Sequence, residues 1–302
     1  MMTKRFEGIF TALITPFTET GSIDWTALDR LIDRQLEAGI AGLVPVGTTG
    51  EAATLSDEEA LSVISHVVLR AKGHAYIMAG TGSNVTTKAV LASRRAADVG
   101  VNGVLLVTPY YNKPSQNGLK AHYAAIATAV DVDIMLYSVP GRTGVEIETE
   151  TASALAKSHA NILAIKEAGG SVERVSALRR ACGSSFAIHC GDDGLALPFL
   201  SVGACGVTSV LSNYLPKECV ALYRAWASGQ HETALAIHER LLPVATAMFV
   251  ESNPCPVKRA LALDGLIHDA VRLPLVQISS HSDQTLKQTL SVYREQLKAL
   301  VI

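Results

Sequence analysis

A chain of 302 residues, 48% hydrophobic and 18% charged, has enough apolar side chains to bury a core, which excludes a disordered or low-complexity protein. A formal net charge of −2 with no lysine- or arginine-rich run excludes the basic stripe that grips a phosphate backbone, so no nucleic-acid partner is expected. No segment reaches the roughly 18 unbroken apolar residues that span a bilayer, so no membrane span is expected.

The apolar stretch at residues 9–17 follows Lys4 and Arg5, but Pro16 interrupts it and no small-x-small cleavage pattern comes after it. It is therefore not expected to be a secretory leader. Strands rich in Val and Ile then alternate with stretches of helical period. A first strand is expected over 10–16, a helix over 25–38 opened by Asp24, and a second strand over 42–46. A helix over 56–71 follows, its start marked by Ser56 and Glu59 as a capping box. Further strands are expected over 76–79, 103–108, 133–137, 162–166, 186–189 and 206–210. After about residue 211 the strands stop, and the remainder reads as helices with a proline-broken loop over 252–256.

Several strands are apolar on both faces, as parallel strands are when covered on both sides. A doubly wound sheet shares that feature. The count of eight favours a closed (β/α)8 barrel, a TIM barrel, with a C-terminal helical appendage. We place the barrel at 1–230 and the helical region at 231–302. Polar clusters fall at strand carboxyl ends, where such barrels build their active sites: Thr48-Thr49, 108–111, Tyr137-Ser138, Lys166-Glu167 and 191–193.

Lys166 ends the run Asn161-Ile-Leu-Ala-Ile-Lys166, so its strand aims an amine at the barrel mouth. Burial disfavours an ammonium, and a neutral amine attacks a ketone to give an iminium that acidifies the neighbouring C–H. The same position also suits a lysine paired with Glu167 or reaching solvent, and position alone does not choose. Tyr137 ends the preceding strand, beside Lys166, where a phenol either packs or relays protons; the latter needs a hydrogen-bonded chain, because an isolated phenol is a poor base. Gly47-Thr48-Thr49-Gly50-Glu51 is a tight turn whose N–H groups and hydroxyls can hold a carboxylate. It lacks the Lys-Ser/Thr ending of a nucleotide loop. Gly80-Thr81-Gly82 reads as a turn near the site. Arg142, on the loop after Tyr137, is either a solvated surface group or a fork for a substrate carboxylate.

The nine histidines are scattered without a metal-binding spacing, and His189 reads as core or support for the site. Adjacent Asp192 and Asp193 point to opposite sides in an extended segment, so no metal site and no cofactor are expected. The five cysteines are odd in number and contain no C-x-x-C pair, which fits a reducing, cytoplasmic setting.

Together the segments Gly47–Glu51, Thr108-Pro-Tyr-Tyr-Asn112, Tyr137-Ser-Val-Pro-Gly-Arg-Thr-Gly144, Ile165-Lys-Glu-Ala168, Gly191-Asp-Asp193 and Val250–Lys258 resemble the dihydrodipicolinate synthase and N-acetylneuraminate lyase family over nearly the whole chain. The Arg-Thr-Gly and Thr-Pro-Tyr-Tyr-Asn segments point to its synthase branch, which condenses pyruvate with aspartate semialdehyde on the diaminopimelate route to lysine. A sugar-acid lyase of the same family and a noncatalytic ligand-binding barrel are the competing readings.

The resemblance implies Lys166 as the Schiff-base lysine and Tyr137 as proton donor and acceptor. It implies a hydroxyl relay of Tyr137, Thr48 and Tyr111, with Tyr111 supplied by a neighbouring subunit. Thr49 would hold the pyruvate carboxylate, Thr208 and the Gly191 backbone would line the pocket, and Arg142 would receive the aldehyde's carboxylate. It also implies a homotetramer made of two tight dimers. Ser138 stands where many members carry Asn. Asn84 and Tyr110 occupy positions of the lysine-binding allosteric site of feedback-sensitive relatives, but Ala60 and Lys88 replace their His and Glu, so weak or absent inhibition by lysine is expected.

Overall fold

The structure is a computed structural model describing residues 2–299. Eight parallel strands close into a barrel in sequence order: β1 Gly8–Ala12, β2 Gly42–Val44, β3 Tyr76–Gly80, β4 Gly103–Val107, β5 Asp133–Ser138, β6 Ile162–Glu167, β7 Ala187–Cys190 and β8 Gly206–Ser209. Helices α1 Trp25–Ala38, α2 Asp57–Ala71, α3 Thr86–Asp98, α4 Gln116–Ala127, the short α5 Pro140–Thr143, α6 Thr149–Ser158, α7 Val172–Cys182, α8 Ala196–Ser201 and α9 Pro216–Ala227 connect or follow the strands. Three more come after them: α10 His231–Ala247, α11 Cys255–Leu263 and α12 Ser280–Ala299. The expected TIM barrel with a C-terminal helical appendage is therefore present.

Local sequence accounts for the helix starts. The Asp24 side chain accepts from Ala27 N–H at 2.9 Å, and both arms of the Ser56/Glu59 capping box form, satisfying amides that a helix start leaves without partners. The first strand departs from its expected bounds, beginning earlier and ending sooner than 10–16. Gly8 already pairs with Gly206; a Cβ there would stand 2.7 Å from the Ala41 Cβ, so the residue that looks like a strand breaker is what lets the chain run this close. Leu13 N–H still donates to Val44 O at 3.1 Å, and past it the backbone leaves the ladder. Ile14 N–H donates to the Asn213 side chain at 3.0 Å and the Thr15 hydroxyl to Gly50 O at 2.7 Å, while Pro16 has no N–H to give.

Two apolar layers follow from the alternation of side chains across the strands. Phe6, Phe10, Val44, Met78, Leu105, Met135, Ala164 and Ala187 fill the barrel. A larger core lies between the strands and the helices, and it extends without a break into Leu241, Val244 and Met248 of α10 and its surroundings, Val257 and Leu261 of α11, and Leu286 and Leu290 of α12. The last three helices thus share the barrel's outer core.

Candidate active site

Strand register sets the site. Val107, Tyr137, Lys166 and His189 are partners across β4, β5, β6 and β7, so their side chains lie on one layer pointing into the barrel, and the next residue of each strand points out. The outward neighbours show it. The Ser138 hydroxyl accepts from Ile147 N–H at 3.3 Å, which takes this departure from the family pattern away from the barrel interior. Glu167 accepts from Arg174 Nε and from Gly169 N–H, both at 2.7 Å. Burial raises the Glu167 carboxyl despite its arginine partner.

That geometry speaks against two of the readings of Lys166, the partner of Glu167 and the side chain reaching solvent. Glu167 is engaged on the other face of the strand, and among the described residues Lys166 forms no ion pair. The lysine is 6% exposed, which also rules out a side chain reaching freely into solvent. Its Nζ lies 4.3 Å from the Tyr137 ring centroid. Gly191, at the end of β7, makes room for it: a Cβ at 191 would sit 3.0 Å from Lys166 Cε and 2.6 Å from the Ala168 Cβ.

A cavity of about 430 Å³ opens above Lys166 and is lined by Thr48, Thr49, Tyr137, Arg142, Gly191, Asp192 and Asn253, among others. A second, of about 380 Å³, adjoins it, sharing Thr48, Tyr137, Val139, Arg142 and Asn253 and reaching Tyr110. The structure therefore gathers Lys166, Tyr137, Thr48, Thr49, Arg142 and Gly191 around one space. Arg142 is exposed on α5 at its rim and forms no ion pair among the described residues.

The turn carrying Thr48 and Thr49 is closed by Gly50 N–H and Ala52 N–H donating to Gly47 O at 3.1 and 3.3 Å, and by Glu51 N–H donating to Thr48 O at 3.1 Å. The amides of Thr48 and Thr49 take no part in these bonds, which leaves two donors beside the cavity for an anion. Val46 and Glu51 flank the turn with φ of 57° and 56°, left-handed values that a β-branched residue adopts only at a cost of about 1–3 kcal/mol.

Two residues of the sequence-derived set stand elsewhere. Thr208 lies below the cavity wall, fully buried, and its hydroxyl is engaged with His189 Nδ1 at 3.0 Å. Burial lowers the His189 pKa to about 4, and Nε2 faces Phe6 O at 2.5 Å, which can only accept. The imidazole is thus neutral with its proton on Nε2, and Thr208 donates to Nδ1. Tyr111, with φ of 72°, is 91% exposed and lines neither cavity of its own chain. Of the allosteric candidates, Tyr110 lines the second cavity, and Asn84 O accepts from Asn112 Nδ2 at 2.9 Å.

Asp193 is half-buried and accepts from the Ser209 hydroxyl and from Val210 and Leu211 N–H at 2.8 and 2.9 Å, which makes it a brace for the turn after β8. Asp192 caps Gly194 N–H at 2.9 Å. Among the described residues no group of three or more His, Cys, Asp or Glu is placed to hold a metal ion, and no helix is long and apolar enough to cross a membrane.

Sequence reasoning missed Asn253 and the tether behind it. The buried Lys258 ammonium donates to Glu51 and to Ala270 O at 2.8 Å. Glu51 also accepts from Arg272 N–H at 3.0 Å, and the Arg272 guanidinium forks onto Glu59 at 2.7 and 2.8 Å, holding that carboxyl at about 2. The only signal in the sequence is a charged residue on each side, Glu51 at the end of the Gly-Thr-Thr-Gly turn and Lys258 after a proline-rich loop.

Fold and site together define a (β/α)8 barrel whose mouth is organised around a buried amine that has no counter-ion among the described residues. The comparisons with known proteins then narrow the class. The model of the dihydrodipicolinate synthetase family matches residues 5–293. The chain is 46% identical to a 4-hydroxy-tetrahydrodipicolinate synthase of Pelobacter propionicus, covering 95% of this chain and 99% of that one. It is 47% identical to the enzyme of the same name from Trichlorobacter lovleyi, over 96% and 99%. A solved 4-hydroxy-tetrahydrodipicolinate synthase from Methylacidiphilum fumariolicum SolV superposes with a TM-score of 0.95 at 46% identity, covering 97% of each chain. The chain belongs to the dihydrodipicolinate synthetase family.

Proposed function

We infer that this chain catalyses the 4-hydroxy-tetrahydrodipicolinate synthase reaction, a lyase-class condensation of pyruvate with aspartate semialdehyde that serves lysine biosynthesis. The observation that carries the reading is Lys166: a buried amine without an ion-pair partner among the described residues, beside Tyr137, in a cavity provided with anion donors. Lys166 Nζ adds to the pyruvate ketone, and loss of water leaves an iminium. Its positive charge draws electrons from the methyl group, a proton leaves, and the resulting enamine carbon attacks the aldehyde. The amine of the second substrate then adds to the iminium carbon and displaces Lys166, closing a six-membered ring and freeing the enzyme.

The remaining roles are proposals supported by position. Tyr137 and Thr48, on the wall shared by both cavities, move protons to and from the carbinolamine. Thr49 and the free amides of its turn receive the pyruvate carboxylate beside Gly191, and Arg142 at the rim takes the carboxylate of the aldehyde by paired hydrogen bonds. Thr208 acts from below by fixing the His189 ring. Tyr111, almost fully exposed, completes the relay in a second copy of the chain, and a dimer of such dimers is the assembly proposed. The helices after residue 230, α10 to α12, serve the barrel as a helical region, and the free cysteines favour the cytoplasm. A sugar-acid lyase activity is the alternative within the family; Arg142 on the rim, without an ion pair among the described residues, favours the aldehyde that brings its own carboxylate.

Borohydride treatment in the presence of pyruvate is expected to add a reduced pyruvyl group to Lys166, read by mass spectrometry of the peptide. A coupled assay is expected to show turnover with aspartate semialdehyde and none with N-acetylneuraminate or keto-sugar acids. Absence of the adduct would sink the Schiff-base reading, and the reverse substrate preference would sink the choice of reaction.

Inhibition by lysine is expected to be weak or absent. Lys88, exposed on the first turn of α3, puts a cation where the resemblance expects a partner for the effector's ammonium, and repulsion between the two acts within a Debye length of about 8 Å. Half-inhibition at sub-millimolar lysine would contradict this.

A further inference from the structure

The helical region touches the reacting space at Asn253, which precedes α11, lines both cavities and is 5% exposed. Its Nδ2 donates to Thr49 Oγ1 at 3.0 Å, and its Oδ1 is buried without a hydrogen-bond partner among the described residues. The two ends of this contact are tied together a second time by the buried Lys258–Glu51 pair, since Glu51 closes the Thr48-Thr49 turn and Lys258 lies on α11.

A hydroxyl owns one proton and two lone pairs. Where an amide N–H occupies a lone pair of Thr49 Oγ1, the Thr49 proton must point elsewhere, and among the described residues no acceptor takes it. What remains in front of it is the cavity. We propose that Asn253 is a positioning residue that directs the Thr49 proton into the cavity, so that Thr49 meets the keto-acid carboxylate as a donor and not as a lone pair. The inference rests on the reading of Thr49 given above and adds to it the group that sets its polarity.

The test compares Thr49→Val, Asn253→Ala, Asn253→Asp and the double variant Thr49→Val/Asn253→Ala in steady-state kinetics with both substrates, alongside thermal melting. Asn253→Ala is expected to raise KM for pyruvate about tenfold. Asn253→Asp, nearly the same shape, takes the Thr49 proton for itself and sets a charge nearby; it is expected to raise that KM on the order of a hundredfold. For Asn253→Ala, KM for the aldehyde should stay within about twofold and the melting temperature near that of the parent protein. The double variant should be no worse than Thr49→Val alone, a non-additivity that general loosening of the fold would not produce. If Thr49→Val raises KM for pyruvate while both Asn253 variants leave it unchanged, or if the double variant is fully additive, the positioning role is wrong and the reading of Thr49 stands. If Thr49→Val itself leaves KM for pyruvate unchanged, the reading of Thr49 falls and the inference falls with it.

Discussion

Lys166→Ala is expected to reduce turnover by on the order of ten-thousand-fold or more, to the level of the uncatalysed background, and to abolish borohydride trapping of pyruvate while leaving the melting temperature nearly unchanged. The size of the effect follows from covalency. Without the amine no iminium forms, and the pyruvate methyl keeps the low acidity of an ordinary ketone, which nothing else in the cavity corrects. The small effect on stability follows from the same geometry. Lys166 has no salt bridge to lose among the described residues, and truncation removes a buried amine, so the usual penalty for deserting a buried partner does not arise. Turnover within tenfold of the parent protein would show that the chemistry does not pass through this residue.

Tyr137→Phe is expected to cost about a hundred- to a thousandfold in kcat, with a measurable remainder, because losing a positioned proton-transfer group slows a step that water can still serve. The ring itself is retained, so its contacts with Val139 and the barrel interior and its face toward Lys166 survive. Trapping with pyruvate should therefore be slower and still go to completion. The pattern of slow trapping with full final adduct separates a proton-transfer role from a packing role, which would leave the rate alone. A variant with parental kcat would remove Tyr137 from the relay.

The barrel was legible because eight apolar runs of matching length recur with helical stretches between them, and the mouth was legible because polar residues fall where each run ends. Lys166 and Tyr137 could be placed side by side from strand order alone. Three features were not legible for physical reasons. The start of β1 is set by a close backbone approach at Gly8, which depends on Ala41 and Gly206, residues far away in the chain. The engagement of His189 with Phe6 and Thr208 comes from closure of the barrel, when β8 returns to β1. Asn253 and Lys258 meet the Gly-Thr-Thr-Gly-Glu turn across some two hundred residues of sequence, and no local periodicity encodes such a meeting. Tyr111 is a different case. Its side chain is 91% exposed and lines neither cavity of its own chain, so its proposed place in the relay calls for a second copy.

Severing this protein behind α9, where the eighth strand–helix unit ends, would strip Glu51 of the ammonium of Lys258 and the N–H of Arg272 in one cut. A carboxylate deserted inside an apolar wall costs about 3–5 kcal/mol, and the turn that holds it would relieve that cost by swinging toward water, carrying Thr48 and Thr49 with it. The eight-stranded cylinder is therefore not expected to stand as a self-sufficient catalyst: through one glutamate, the C-terminal helices are the keystone of the rim.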